Sequence, residues 1–341
     1  MEDLDRSSLF YEKTLGSLMG GLIGDAMGTP TEAMHYTDIE KKHGWIDDFD
    51  CDGTDDTVMK ILVAEALIRT NGEATYDDWA KVWIDHWDDF FGTKISKFFP
   101  SVLHTAAKLR WARNPRMAAL GNMASSSSAM CISPVGIVNA CNPSQAAAQA
   151  YNLASLIHTH DVSFCQDGTA AMAAAVAEAY NPDASVQSIV DCAREAVVPL
   201  SGSEMLDLIN EVIDLALTSK SYKGFRAAVY EREKRFFRVP FCDARETVPI
   251  ALALFMLAEG NLEDVVTFGA NFGRDTDTIA TMGGAIAGAF KGVASIRTDW
   301  VQKARKLSDV DQDDLAVRLI RTAKTKFENQ KCARKLFEKL V

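Results

Sequence analysis

No stretch of eighteen uninterrupted apolar residues occurs anywhere in this 341-residue chain, so no membrane-spanning helix is expected. Its seven cysteines (51, 131, 141, 165, 192, 242 and 332) include no C-x-x-C pair. They read as buried thiols rather than a metal-binding or redox framework, and their odd number with no signal peptide at the Met1-Glu2-Asp3 start leads us to expect the reducing cytoplasm. Positive charge is also short: 36 Lys and Arg against 47 Asp and Glu give a formal charge of −11. A nucleic-acid duplex or an anionic membrane is repelled at long range by that balance. A nucleotide-like ligand stays open, provided its phosphates meet a local cation, a helix N-terminus or backbone amides. No Pro/Gly/Ser-rich linker, low-complexity tract or abrupt charge shift divides the chain, which predicts one domain over residues 1–341.

Sustained alternation of apolar and polar residues is nearly missing too, and this argues against a sheet. Helical periodicity runs end to end instead, predicting a nearly all-α fold with helices at 13–28, 55–70, 75–90, 98–112, 144–158, 168–180, 185–197, 203–218, 245–259, 261–270, 276–291, 309–326 and 328–340. Thr75, Ser144, Ser185, Ser203 and Asn261 are the expected N-caps. The segments 58–68, 170–179 and 279–290 are apolar on most faces and are expected at the centre. Glycines 16, 20, 21, 24 and 28, with 283, 284 and 288, recur at helical spacing and predict close helix approach. Trp79, Trp83 and Trp87 read as a core stripe, and the basic stretch Arg232, Lys234, Arg235, Arg238 as a solvated helix end.

Two patterns carry the chemistry: Thr54-Asp55-Asp56-Thr57 and Asp275-Thr276-Asp277-Thr278. Each opens directly into a helix with almost no polar face, and an unpaired carboxylate is costly to bury there. Alone, either cluster could be a cap with acids favouring the positive end of the helix dipole. Two such starts suggest convergence on one or two hard cations, Mg²⁺, Mn²⁺ or Ca²⁺. An EF-hand beginning at Asp48 is rejected because its twelfth position is Met59. Asp25, late in an apolar helix, reads as a structural acid, whereas Glu32 lies beyond the break at Pro30 where it can reach an open site.

Gly20, Gly24, Asp25, Ala26, Gly28, Pro30 and Glu32, then Thr54 to Thr57, then Gly273, Arg274, Asp275, Asp277 and Thr278, resemble in order the motifs of the ADP-ribosylglycohydrolase family. The resemblance covers roughly residues 13–291. It implies an orthogonal multi-helix bundle and two divalent cations, Mg²⁺ or Mn²⁺, held by Thr54, Asp55, Asp56, Asp275, Asp277 and Thr278. Such a centre orients ribose hydroxyls and activates water. Glu32, Asp55 and Asp277 become the expected catalytic residues, Glu32 as ligand or acid/base. In the family's ligand loop Met130, Pro134 and Gly136 fit, but serines replace an Asn-Gly pair and Cys131 replaces an Arg. Ser127, Ser128, Met130 and His160 are the candidate substrate contacts, with His158 competing for the histidine role. The implied activity is hydrolysis of an N-glycosidic ribosyl bond in an ADP-ribosylated or small-molecule substrate. A small free N-glycoside or nucleoside is the alternative substrate, and a non-catalytic ligand binder the alternative class.

Overall fold

The computed structural model describes residues 6–112 and 114–340, so the Met1-Glu2-Asp3 start lies outside the described residues. In chain order the α-helices are α1 Leu9–Gly28, α2 Tyr36–Lys42, α3 Asp55–Arg69, α4 Tyr76–Asp85, α5 Pro100–Ala112, α6 Pro115–Ala118, α7 Ser133–Val138, α8 Pro143–Ala154 and α9 Phe164–Glu178. They continue as α10 Val186–Glu195, α11 Ser203–Thr218, α12 Tyr222–Tyr230, α13 Glu233–Phe236, α14 Ala244–Leu257, α15 Leu262–Ala270, α16 Thr276–Lys291, α17 Thr298–Leu307 and α18 Gln312–Phe337. No strand occurs among the described residues, in agreement with the all-α expectation.

Local capping explains many of the starts. Asn261 accepts the Asp264 N–H at 3.0 Å, and Ser185 and Ser188 bond each other's backbone N–H at 3.0 Å. Asp78 accepts the Thr75 N–H at 2.9 Å. Two expected caps shift: Asn142 rather than Ser144 accepts the Gln145 N–H at 3.3 Å, and Ser203 is the first helical residue, with Gly202 as its cap. The helices expected at 309–326 and 328–340 are one, α18, because nothing between them breaks the backbone ladder. The helix expected over 75–90 ends at Asp85 and passes into a wider turn over Trp87–Gly92.

One apolar core runs from Tyr11 to Ala323. Trp79 and Trp83 are fully buried in it and pack edge to face at 5.3 Å, while Trp87 is half-buried under Arg110. Of the thiols, Cys131, Cys165 and Cys242 are buried; Cys141 and Cys332 are exposed, which corrects the expectation that all are interior. Arg235 does sit at the surface with Glu211, but Arg238 turns inward, its backbone N–H donating to the buried Glu246 at 2.8 Å.

The central contact is between α1 and α16, which run antiparallel. A Cβ on Gly16, Gly20 or Gly24 would overlap the carbonyl of Gly288, Gly284 or Ala280, and one on Gly28 would overlap the Asp277 backbone. The two backbones therefore touch without intervening side chains. This places the C-terminal end of α1, with Asp25, beside the N-terminal end of α16. At the far end the buried Lys13 ammonium donates to the carbonyls of Ala179, Ala289 and Phe290 at 2.7, 3.1 and 2.9 Å, satisfying the last turns of α9 and α16. Gly20→Ala should lower unfolding free energy in urea by about 1–3 kcal/mol, since a methyl has no space there. Gly92→Ala, whose Cβ would meet nothing nearer than 3.7 Å, should stay within about 0.5 kcal/mol of wild type.

Candidate metal centre and family

Asp25 organises the first acidic segment. Fully buried at the end of α1, it accepts the Thr54 N–H and hydroxyl on Oδ1 at 2.7 and 3.0 Å, and the Thr57 N–H and hydroxyl on Oδ2 at 2.9 and 2.6 Å. The Thr57 amide belongs to the first turn of α3 and has no partner within that helix. Gly53, with φ of +84°, lies so close that a Cβ would overlap the Asp25 carboxylate. Asp25 is thus a structural acid, as expected from its position.

The second segment is fixed by hydroxyls and by its neighbours. Thr276 Oγ1 donates to the Gly28 carbonyl at 3.0 Å, and Thr31 Oγ1 lies 2.8 Å from the Ala270 carbonyl. Glu32 follows directly, exposed at the rim, and offers a carboxylate oxygen within 4.8 Å of oxygens from both Asp275 and Asp277.

The two segments interlock. Thr54 Oγ1 lies 3.1 Å from Asp277 Oδ2, and Thr278 Oγ1 lies 3.4 Å from Asp56 Oδ1. Asp55 turns toward the Phe99 N–H, 3.1 Å away. Thr54, Asp55, Asp56, Asp275, Asp277 and Thr278 are therefore gathered in one place, with Glu32, Asp275 and Asp277 as its tightest group.

Charge is badly unbalanced there. Asp25, Asp55, Asp56, Asp275 and Asp277 are all buried, and the cation among them is Lys60, itself fully buried one turn along α3 from Asp56. Burial is the first cause that drives every one of these carboxyls upward; repulsion within the group adds to it for Asp55, Asp56 and Asp277, and repulsion from Glu32 and Glu246 for Asp275; Asp55 is pushed up to about 7. Burial lowers Lys60 to about 8. Asp56 Oδ2 and Asp277 Oδ1 are buried without a hydrogen-bond partner. Unpartnered buried carboxylate oxygens among aspartates and threonine hydroxyls fit a hard, oxygen-preferring divalent cation.

In the serine loop the hydroxyls bond one another and the neighbouring His158 and Thr169. Ser128 Oγ bonds His158 Nδ1 at 2.9 Å and Thr169 at 2.6 Å, while Ser125 bonds His158 Nε2 at 2.9 Å and Ser127 at 2.9 Å. Burial holds His158 down to about 3, so it is a neutral strut. The serine that touches the acids is Ser126, whose Oγ donates to Asp275 Oδ2 at 3.2 Å while its N–H donates to the Cys242 carbonyl at 2.7 Å. Sequence order could not single it out among four consecutive serines. Met130 is buried; His160 is exposed, with its ring bonded to Thr159 at 3.1 Å. Cys131 is fully buried, its thiol donating toward the carbonyls of Ser127 and Ser128 at 3.4 Å. Position 131 lies within electrostatic reach of Asp55 and Asp56 as well as Lys60.

These pKa directions set a pH test with a definite sign. A carboxyl raised from about 3.9 unfolded to about 7 folded contributes stability that is complete below about 4 and lost as pH rises through about 7. A divalent cation replaces the missing protons, and its benefit grows with pH. The rise in melting temperature on adding Mn²⁺ to chelator-treated protein should be larger at pH 8 than at pH 5.5. An equal rise at both, or none, contradicts the charge account.

Comparison with known proteins shows the family to which the chain is related. The protein called "Uncharacterized protein YegU" of Escherichia coli (strain K12) is 28% identical over 314 residues, covering 84% of this chain and 89% of that one. "ADP-ribosylhydrolase ARH3" of Homo sapiens is 23% identical over 344 residues, covering 87% and 90%. A solved structure described as an "ADP-ribosylglycohydrolase-related protein complex" superposes with a TM-score of 0.68 over 92% of this chain and 98% of that one at 17% identity, which shows the shared fold. The family model for ADP-ribosylglycohydrolase matches residues 6–329, and the chain therefore belongs to the ADP-ribosylglycohydrolase family.

Proposed function

We propose that this chain is a divalent-cation-dependent hydrolase of an N-glycosidic ribosyl bond, with an ADP-ribosyl adduct as its foremost substrate. Family membership supports a glycosidic hydrolase. The observation that carries the cation dependence is the pair of orphaned buried oxygens, Asp56 Oδ2 and Asp277 Oδ1, in a cluster of buried carboxylates. Thr54, Asp55, Asp56, Asp275, Asp277 and Thr278 would hold two cations, Mg²⁺ or Mn²⁺. Bound there, such ions supply Lewis acidity, hold a ribose diol and lower the pKa of water.

The chain's own groups do the rest. Glu32 stands exposed at the rim, and desolvation followed by the Asp25 charge raises its carboxyl, bringing it nearer the neutral range in which proton exchange is efficient. It serves as the acid/base, moving a proton as the bond cleaves through an oxocarbenium-like state. Asp55 and Asp277 complete the catalytic set. Ser127 and Ser128 act through the shape of their loop, with Met130 as its apolar wall and His160 as an outer substrate contact.

A small free N-glycoside or nucleoside is the second reading, supported by the absence of a permanent cation at Cys131 to meet a distal phosphate. A non-catalytic ligand binder is the third, weakened because a mere scaffold has no use for converging acids. The proposal includes a single domain over residues 1–341, supported by the continuous core, and a cytoplasmic setting. Among the described residues no helix is long and apolar enough to cross a membrane, and no nucleic-acid duplex partner is proposed.

Incubation with an ADP-ribosylated protein, with free ADP-ribose derivatives and with nucleosides, in Mg²⁺ or Mn²⁺, separates the readings. We expect release of ADP-ribose and its loss on chelation; turnover of nucleosides alone selects the second reading. Asp277→Asn should lower kcat/KM by about 100-fold or more, since even partners of metal ligands cost about 10–100-fold. Full activity in that variant overturns the site.

A further inference from the structure

An ion pair, Arg274 with Glu246, lies beside the acidic cluster, one residue from Asp275. Arg274 precedes Asp275 and adopts a left-handed backbone, φ +69°, directly after Gly273 at +92°; facing it across the site, Ala33 has φ +61°. Positive φ is uncommon for residues other than glycine, and strained positions of this kind gather at functional sites. The two segments are joined by a reciprocal pair of backbone bonds. The Ala33 N–H donates to the Arg274 carbonyl at 2.8 Å, and the Arg274 N–H donates to the Met34 carbonyl at 2.8 Å. Those bonds tie the residue after Glu32 to the residue before Asp275.

The Arg274 side chain is held from the other side. Its Nε and Nη2 meet Glu246 Oε1 and Oε2 at 2.7 and 2.8 Å, a two-pronged contact to a glutamate only 1% exposed on α14. Nη2 also donates to the Arg238 carbonyl at 2.8 Å, and the guanidinium lies over the Phe237 ring at 4.5 Å. Glu246 Oε2 in turn accepts the Arg238 N–H at 2.8 Å. Neither Glu246 nor Arg274 belongs to the tight carboxylate group of Glu32, Asp275 and Asp277.

We propose that the Glu246–Arg274 pair is a positioning device: by locking Arg274 in its left-handed conformation it presents two backbone groups to Ala33 and Met34, and so sets Glu32 against Asp275 and Asp277. The inference rests on the reading of those three acids as a cation site. It adds that the site is assembled by α14, which contributes none of the expected ligands. The fork geometry matters here as well as the charge, because a lysine at 274 would bring a single point of charge and could not hold Glu246 and the Arg238 carbonyl with the planar fork that Arg274 uses.

The test has one arm that needs no cation. In metal-free protein, amide hydrogen exchange at Ala33 and Arg274 should be slow in wild type and at least tenfold faster in Glu246→Gln, with the core amides of α9 unchanged. Arg274→Gly guards against failure to fold, since glycine adopts positive φ freely while the whole side chain and its bonds to Glu246 and Arg238 are lost; it should accelerate the same two amides. In the second arm, Mn²⁺ affinity measured by electron paramagnetic resonance should weaken about tenfold in Arg274→Gly and less in Arg274→Lys. Combining Glu246→Gln with Glu32→Gln should cost less than the sum of the two, because both act through Glu32. Unchanged exchange at Ala33 and Arg274, acceleration shared equally by α9, or additive losses of affinity would overturn the proposal. A wild type that binds no Mn²⁺ sinks the cation reading instead, and the exchange arm still decides the positioning role.

Discussion

Where α1 meets α16, four glycines on one face leave no side chain between the helices, so the backbones touch along their whole shared length. Everything at the site follows from that approach. It brings Asp25 beside the first turn of α16, and Asp25 then captures both threonines of the Thr54–Thr57 segment, starting α3 at the same spot. Two helix starts more than two hundred residues apart in sequence become neighbours, joined by the Thr54–Asp277 and Thr278–Asp56 contacts. A wider spacing between α1 and α16 would separate the acids and leave each as an ordinary helix cap.

The same geometry creates an electrostatic problem that the chain does not solve alone. Lys60 offsets one charge, threonine hydroxyls and amides offset part of the rest, and two carboxylate oxygens remain buried with no partner. Without a cation the cluster can be relieved by protonation, which is the physical sense of the upward shifts. A hard cation bound there, as proposed, would relieve the same repulsion.

Much of this was legible in sequence, for identifiable reasons. Asp55–Arg69 and Thr276–Lys291 stand within a residue of their expected bounds because polar caps abut long apolar runs, and the glycine spacing announced the close contact. The short helices at Tyr36–Lys42 and Ser133–Val138 were missed, since so few turns give periodicity little to act on, and Thr298–Leu307 was missed as well. Four consecutive serines are alike in sequence; only tertiary packing shows Ser127 and Ser128 bonded to Ser125, His158 and Thr169, and Ser126 to Asp275. Glu246 was invisible for a related reason: it sits in the first turn of a largely apolar helix, where an acid reads as an ordinary helix start, and its partner lies 28 residues away.

The most direct measurement is a crystal structure of the protein soaked with Mn²⁺ and ADP-ribose, with the ions located by their anomalous scattering. The account predicts Mn²⁺ bonded to oxygens of Asp56, Asp275 and Asp277, with the ribose hydroxyls against the ions. Ions bound elsewhere, or a fully ordered ligand with no ion at these aspartates, would contradict it.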